Sequence, residues 1–472
     1  MEKKQLEKRY GLFTAICMVV GIVIGSGVFF KAQDLLNYVG GNMPLGVLAW
    51  IIGGAVMITC AATFANFATK YAKVNGVVDY AEAIVGEKYA YMVGWFISTI
   101  YYPAITGVLA WVSARYTLVL FNPAADITGG LCMALAAFYI FAMYALNTLG
   151  PKLAGKFQVS ATVIKLIPLA IMVVVGTIAG LINGNTVDAF VNTPSASDVD
   201  FGSVFAGIGA AVFAYDGWII ATSINAELKN AKKNLPIALV LGTLIIMVVY
   251  ITYFIGLTGG ASVDTLIKEG STTAFRNLFG NIGGTLLNAF VVISCLGTLN
   301  GLMLALTRTF YSLAVRGHGP KPEVLSELDS RTNMPNNAGI VGLLMCGFWF
   351  FYFYGSVIIQ IPPIASEALF GPFSFDSSEL PIITIYALYI PIFVFYIIKE
   401  GKTGSKFKNI VMPILATIAA LFMIFVAVYA HGIRPYQSAA TEGKFAFPVL
   451  FYLIVFAIIM GVGLLFYRKK SK

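Results

Sequence analysis

The chain has 472 residues, of which 58% are apolar and 11% charged, with a formal net charge of +9 and a mean hydropathy of +0.83. An ordinary soluble domain carries about 25% charged residues, so this composition excludes a disordered chain, a collagen-like repeat and nearly every water-soluble architecture. The positive balance fits nucleic acid, anionic lipid or an acidic substrate equally well until the charges are placed along the chain.

The first ten residues, Met1 to Tyr10, are polar and precede a long apolar run with no small-residue cleavage site, which reads as a cytoplasmic tail before a permanent span. A helical crossing needs about 20 mostly apolar residues. Twelve segments qualify: 11–38, 45–69, 90–121, 131–150, 157–182, 202–227, 235–258, 282–312, 338–358, 378–398, 409–431 and 446–467. With the amino terminus inside, 24 of the 31 Lys and Arg residues fall on seven segments of that same side, counting Arg308 near the inner end of the eighth span, which predicts both termini cytoplasmic. Charges dispersed in this way are topology signals and exclude a nucleic-acid partner, which would need them gathered on one face with stacking aromatics. The five cysteines lie in or beside apolar runs and the two histidines are 113 residues apart, so no disulfide framework, metal site or cofactor is expected.

Two of the spans are interrupted. The first carries Gly21-Ile-Val-Ile-Gly25-Ser26-Gly27 at mid-depth, and the sixth carries Phe213-Ala214-Tyr215-Asp216-Gly217-Trp218. Glycine in a helix interior costs about 1 kcal/mol relative to alanine, and a carboxylate at the bilayer centre costs about 2.5–3.5 kcal/mol on insertion scales. Close packing explains the glycines alone and a capping role explains Asp216 alone, but the breaks lie five crossings apart. An odd repeat inverts the second unit, giving two halves, 11–182 and 202–398, with 409–467 and a tail 468–472 left over. Interrupted helices at matching positions of inverted halves point to a transporter's central site.

At such breaks the free amides of Gly25, Ser26, Gly27 and Val28 suit a carboxylate, and the free carbonyls of Val23, Phe213, Ala214 and Asp216 suit an ammonium group. One small molecule carrying both is an amino acid. Lys165 stands alone about 12 Å into the fifth span, where it either snorkels to the headgroups or enters the bundle near the first break. Tyr101, Tyr102, Trp218 and Asn300 are candidate wall residues. Arg115 reads as an interfacial anchor, Glu82 and Glu87 as solvated loop charges, and Glu227 as the ordinary end of the sixth span.

Gly25-Ser26-Gly27-Val28-Phe29, the Phe213 to Trp218 stretch, Lys229-Asn230 and Asn234-Leu235-Pro236 together resemble the amino acid, polyamine and organocation superfamily, and within it the L-amino acid transporter branch and its bacterial exchangers of small neutral amino acids. The resemblance implies an all-α leucine-transporter fold of five plus five inverted spans, working by alternating access. It also implies that the Ser26 and Gly27 amides bind substrate carboxylate, that the Val23, Phe213 and Asp216 carbonyls bind its ammonium, and that the Phe213 ring is an outer gate. Lys165 then stands in for a sodium ion, or carries a proton in a coupled symporter. Animal members use a cysteine after the third span to link a heavy subunit. Residues 121–130 contain none, so a monomer without that partner is expected. The expectation is a plasma-membrane, sodium-independent exchanger of alanine, serine, threonine or cysteine, and not an enzyme, with a proton-coupled symporter as the alternative.

Overall fold

The computed structural model describes residues 6–25, 27–71, 75–122, 124–361, 364–441 and 446–467, and the described residues are almost wholly helical. The first apolar run forms two helices, α1 (Leu12–Val23) and α2 (Gly27–Tyr38). Then come α3 (Met43–Lys70), α4 (Gly76–Ile84), α5 (Glu87–Phe121), α6 (Gly130–Leu149) and α7 (Pro151–Ile182). The second half runs α8 (Phe201–Ala214), a 3₁₀ segment (Trp218–Glu227), α9 (Ala231–Leu257), α10 (Val263–Glu269) and α11 (Ser271–Ala314). The remaining long helices are α12 (Asn336–Ser356), α13 (Leu380–Glu400), α14 (Phe407–Thr441) and α15 (Pro448–Leu465).

Local signals set the helix ends. Asn42 accepts the Leu45 amide at 2.9 Å and caps α3, while Pro151 and Pro448 open their helices where a missing N–H costs nothing. Eleven of the described helical stretches are long and apolar enough to cross a membrane, and the broken first run adds two twelve-residue pieces. Apolar side chains such as Phe138, Leu344, Ile418 and Ile458 are exposed on them. A water-facing surface of that kind would aggregate, so the surrounding solvent is lipid.

Several boundaries differ from the sequence reading: the fifth span starts at Pro151 rather than residue 157, and the eleventh runs on to Thr441 rather than 431. The third span starts at Glu87, not residue 90, and contains a π-helical turn at Ile97–Tyr101 just before Pro103, which re-aims the tyrosines there. The eighth begins at Ser271, and Gly280 breaks it with φ +72, so the chain changes direction before entering the long span. The core beside the two interrupted helices is aromatic. Trp50 packs edge-on against Tyr215 at 5.5 Å, and Tyr215 stacks on Tyr250 at 5.0 Å. These rings tie α3 and α9 to the sixth-span break.

Candidate functional site at the paired helix breaks

The breaks are where the glycines predicted them. α1 ends at Val23 and α2 starts at Gly27, whereas α8 ends at Ala214 and the 3₁₀ segment starts at Trp218. Gly217 supplies the turn with φ +104, and a Cβ there would sit 3.1 Å from the Ile22 side chain, so any other residue would be strained and crowded. A Cβ on Gly27 would lie 3.4 Å from Ala214 Cα, so the start of α2 abuts the end of α8. Ser26 lies outside the described residues. As the first residues of a helix, Gly27 and Val28 have amides with no acceptor one turn back in α2.

Lys165 is fully buried and points into the bundle. Its Nζ donates to the carbonyls of Gly21 at 2.8 Å, Ile24 at 2.6 Å and Ser294 at 2.9 Å, with Thr298 Oγ1 at 3.3 Å. This removes the snorkelling reading. Ser294 Oγ donates to the Ile24 and Gly25 carbonyls at 3.2 and 3.1 Å, and Thr298 Oγ1 contacts Gly21 O at 3.3 Å. Gly297 lies between them, and its missing side chain leaves room for the ammonium 3.3 Å from where a Cβ would sit. One side chain thus fastens the first break to α11 through four oxygens.

Tyr250 fastens the two breaks to each other. Its hydroxyl lies 3.1 Å from Val23 O and 3.2 Å from Ala214 O, so one proton is shared between two carbonyls expected to meet an ammonium group. Val23 O also accepts the Gly25 amide at 2.8 Å, so both its lone pairs are engaged, whereas Ala214 O keeps one for a ligand. Phe213 O accepts the Asp216 amide at 3.2 Å, and Asp216 Oδ2 accepts the Tyr101 hydroxyl at 2.8 Å. Tyr102 packs on Tyr101 at 5.3 Å, and Trp218 Nε1 donates to Tyr386 Oη at 3.3 Å. Asn300 is held in a polar knot, donating to Gln158 Oε1 at 2.9 Å and accepting from Asn147 Nδ2 at 3.0 Å.

Tyr250, Ser294 and Thr298 were absent from the sequence reading. The last two are four residues apart in an apolar span, the spacing that puts two hydroxyls on one helix face; Tyr250 gave no signal among 24 tyrosines.

On the side of the amino terminus ion pairs link the helices. Arg308 of α11 and Glu227, 2% and 1% exposed, pair directly, and the Glu227 carbonyl accepts the Arg9 and Tyr10 amides at 2.8 and 3.0 Å. Arg316 binds Asp79 and, at 3.0 Å, Glu82, while His318 lies 3.1 Å from Glu87. Glu82, Glu87 and Glu227, read as unremarkable charges, are structural partners. On the opposite side Lys31 of α2 lies 3.4 Å from Asp34 and 3.7 Å from Glu379. Arg115 stands over the rings of Trp111 and Tyr116, both at 5.5 Å.

A many-spanned bundle with paired helix breaks, opposed backbone poles and a buried lysine at the first break is the architecture of a secondary transporter. The chain belongs to the amino acid permease family, whose model matches residues 10–458, and within it to the L-amino acid transporter branch of the wider superfamily. It is 31% identical over 433 residues to the serine/threonine exchanger SteT of Bacillus subtilis (strain 168), covering 90% of this chain and 92% of that protein. It is 26% identical over 342 residues to the human cystine/glutamate transporter, covering 72% of this chain and 67% of that one. The crystal structure of MhsT in complex with L-phenylalanine superposes with a TM-score of 0.57 at 16% identity, over 90% of this chain and all of MhsT. The fold is therefore of the leucine-transporter type, in a multi-pass membrane protein that transports amino acids and is not an enzyme.

Proposed function

We propose that the chain is a sodium-independent antiporter that exchanges small neutral L-amino acids across the plasma membrane, with both termini in the cytoplasm and no heavy subunit. The substrate carboxylate meets the amides of Ser26, Gly27 and Val28, while the amide of Gly25, also expected to be free, is given to Val23 O at 2.8 Å. Its ammonium meets the carbonyls of Val23, Phe213, Ala214 and Asp216, and Phe213 closes over it from outside. Alternating access comes from a four-helix bundle rocking against a scaffold about this point, within the two inverted halves 11–182 and 202–398.

The observation that carries the reading is the set of oxygens around Lys165. Three carbonyls and a hydroxyl converge there, a donor set that would otherwise hold a hard cation. An ammonium supplies one N–H to each carbonyl, whereas a neutral amine has only two, leaving a buried carbonyl unpaired. That favours a permanently charged lysine in place of a coupling ion over a lysine that gives up a proton each cycle. Similarity to a serine/threonine exchanger supports small neutral substrates.

The test is uptake of labelled alanine or serine by reconstituted vesicles. Uptake should require internal amino acid, should not change when sodium is replaced, and should not be driven by an inward proton gradient into empty vesicles. Equal uptake into empty vesicles would overturn exchange, and gradient-driven uptake would favour the proton-coupled symporter.

A further inference from the structure

The eleventh apolar span lies outside the inverted halves, yet it sends a histidine into the outer mouth of the site. His431 is 15% exposed, and its ring stands edge-on to Phe213 at 6.3 Å between centroids and 84° between planes. On its other side Nε2 lies 2.7 Å from Glu379 Oε2, while Glu379 Oε1 faces Lys31 Nζ at 3.7 Å. One carboxylate therefore joins α14 to α2, and the same histidine backs the ring read as the gate.

We propose that His431 is a positioning residue of the outer gate, which seats Phe213 closed when the ring is protonated from the outer medium and releases it when the ring is neutral. The inference rests on the exchange reading given above.

The charge count around the ring gives the sign. From α2 come Lys31 and Asp34, and from the start of α13 and the loop before it come Glu379 and Asp376. On its own helix are Tyr429 and Arg434, the latter turned away over the Tyr38 ring at 5.6 Å. α8 presents Phe213, with Asp200 capping its far end, and α15 carries no charged side chain. With the ring neutral, Lys31 alone faces three carboxyls; with it charged, two cations do, and α14 is drawn onto Glu379.

Burial, reinforced by the Glu379 charge, raises the Asp376 carboxyl from its ordinary value against hydrogen bonds from Ser378. The Asp376 charge adds to the pull of Glu379 on the protonated ring, so charging His431 tightens the mouth at low outside pH. Histidine is the side chain whose ordinary titration falls in the physiological range.

The experiment is exchange by reconstituted vesicles of one orientation, with inside pH fixed and outside pH varied from 5.5 to 8. The outside half-saturation concentration for alanine should be about two- to fivefold higher at the acid end, because the outward-open state is then less populated. His431→Gln should hold the alkaline value throughout, His431→Lys should hold the acid value, and Glu379→Gln should flatten the profile with the ring intact. A merely structural histidine would not give opposite plateaus in the Gln and Lys variants. Exchange by the unmodified chain with a flat outside-pH profile, or a His431→Gln variant that keeps the unmodified profile, would overturn the inference and leave the exchange reading standing. Failure of the unmodified chain to exchange any amino acid would overturn both.

Discussion

The Lys165 ammonium lies 2.6 Å from the carbonyl oxygen of Ile24, the first residue beyond the end of α1. A helix that stops inside a membrane leaves carbonyls that lipid cannot satisfy. Here a lysine from another span satisfies two of them and ties them to α11.

Removing that amine should therefore disturb transport more than insertion. Each charge-assisted hydrogen bond is worth about 1.5–3 kcal/mol, so Lys165→Ala is expected to lower exchange turnover about tenfold or more. Membrane content should stay near that of the unmodified protein. Turnover measured in vesicles against protein quantified in the same vesicles checks this, and unchanged kinetics at both faces would overturn it.

Tyr250→Phe deletes one oxygen and keeps the stacking on Tyr215. The Val23 and Ala214 carbonyls lose their shared donor, and the two breaks lose their direct link. A neutral hydrogen bond contributes about 0.5–1.5 kcal/mol, so the half-saturation concentration should rise about two- to tenfold with a smaller change in melting temperature. Substrate titration alongside a thermal melt separates these effects. A variant that melts much earlier but binds normally would make Tyr250 a packing residue only.

Much of this arrangement was legible in the sequence, because glycine and an intramembrane carboxylate are conspicuous in apolar runs. Gly25 to Gly27 and Asp216-Gly217 marked both breaks, and Lys165 marked the cation. Their partners were hidden, since Tyr250, Ser294 and Thr298 belong to residue types that recur in any span, and their role comes from which helix faces them. Glu227 and Arg308 were hidden for a related reason. Eighty-one residues separate them, and a charge at a span's end looks alike whether it meets water or a buried partner. Asn300, which looked like cavity wall, has its polar atoms engaged by Asn147, Gln158 and the Ala154 carbonyl.

Asp216 and Tyr101 should behave as one unit. The 2.8 Å contact joins the sixth-span break to the π-helical turn of α5. Tyr101→Phe and Asp216→Asn should each reduce exchange, and the double variant should be little worse than either alone, giving a coupling energy of about 0.5–3 kcal/mol in a double-mutant cycle. Fully additive losses would mean that the contact does not shape the transport cycle.

The Arg308–Glu227 pair makes the most severe prediction for stability. Both side chains are almost completely buried, and Arg308 also donates to Leu304 O at 2.5 Å, so removing the acid strands a cation in the protein interior. Breaking a buried pair by deleting one partner costs about 3–5 kcal/mol, whereas replacing both partners by apolar groups is often near neutral. Glu227→Leu should therefore melt markedly earlier than the unmodified protein, and Glu227→Leu with Arg308→Met should recover most of the loss. The Glu227 carbonyl that receives Arg9 and Tyr10 is backbone and survives both changes, so the chain's start stays docked. The doubly substituted protein should be stable yet show altered half-saturation at the face nearest the amino terminus, because the pair that links α11 to the 3₁₀ segment there is gone. Recovery of stability with unaltered kinetics at that face would make the pair structural alone, whereas no recovery would mean that the site cannot repack around apolar side chains.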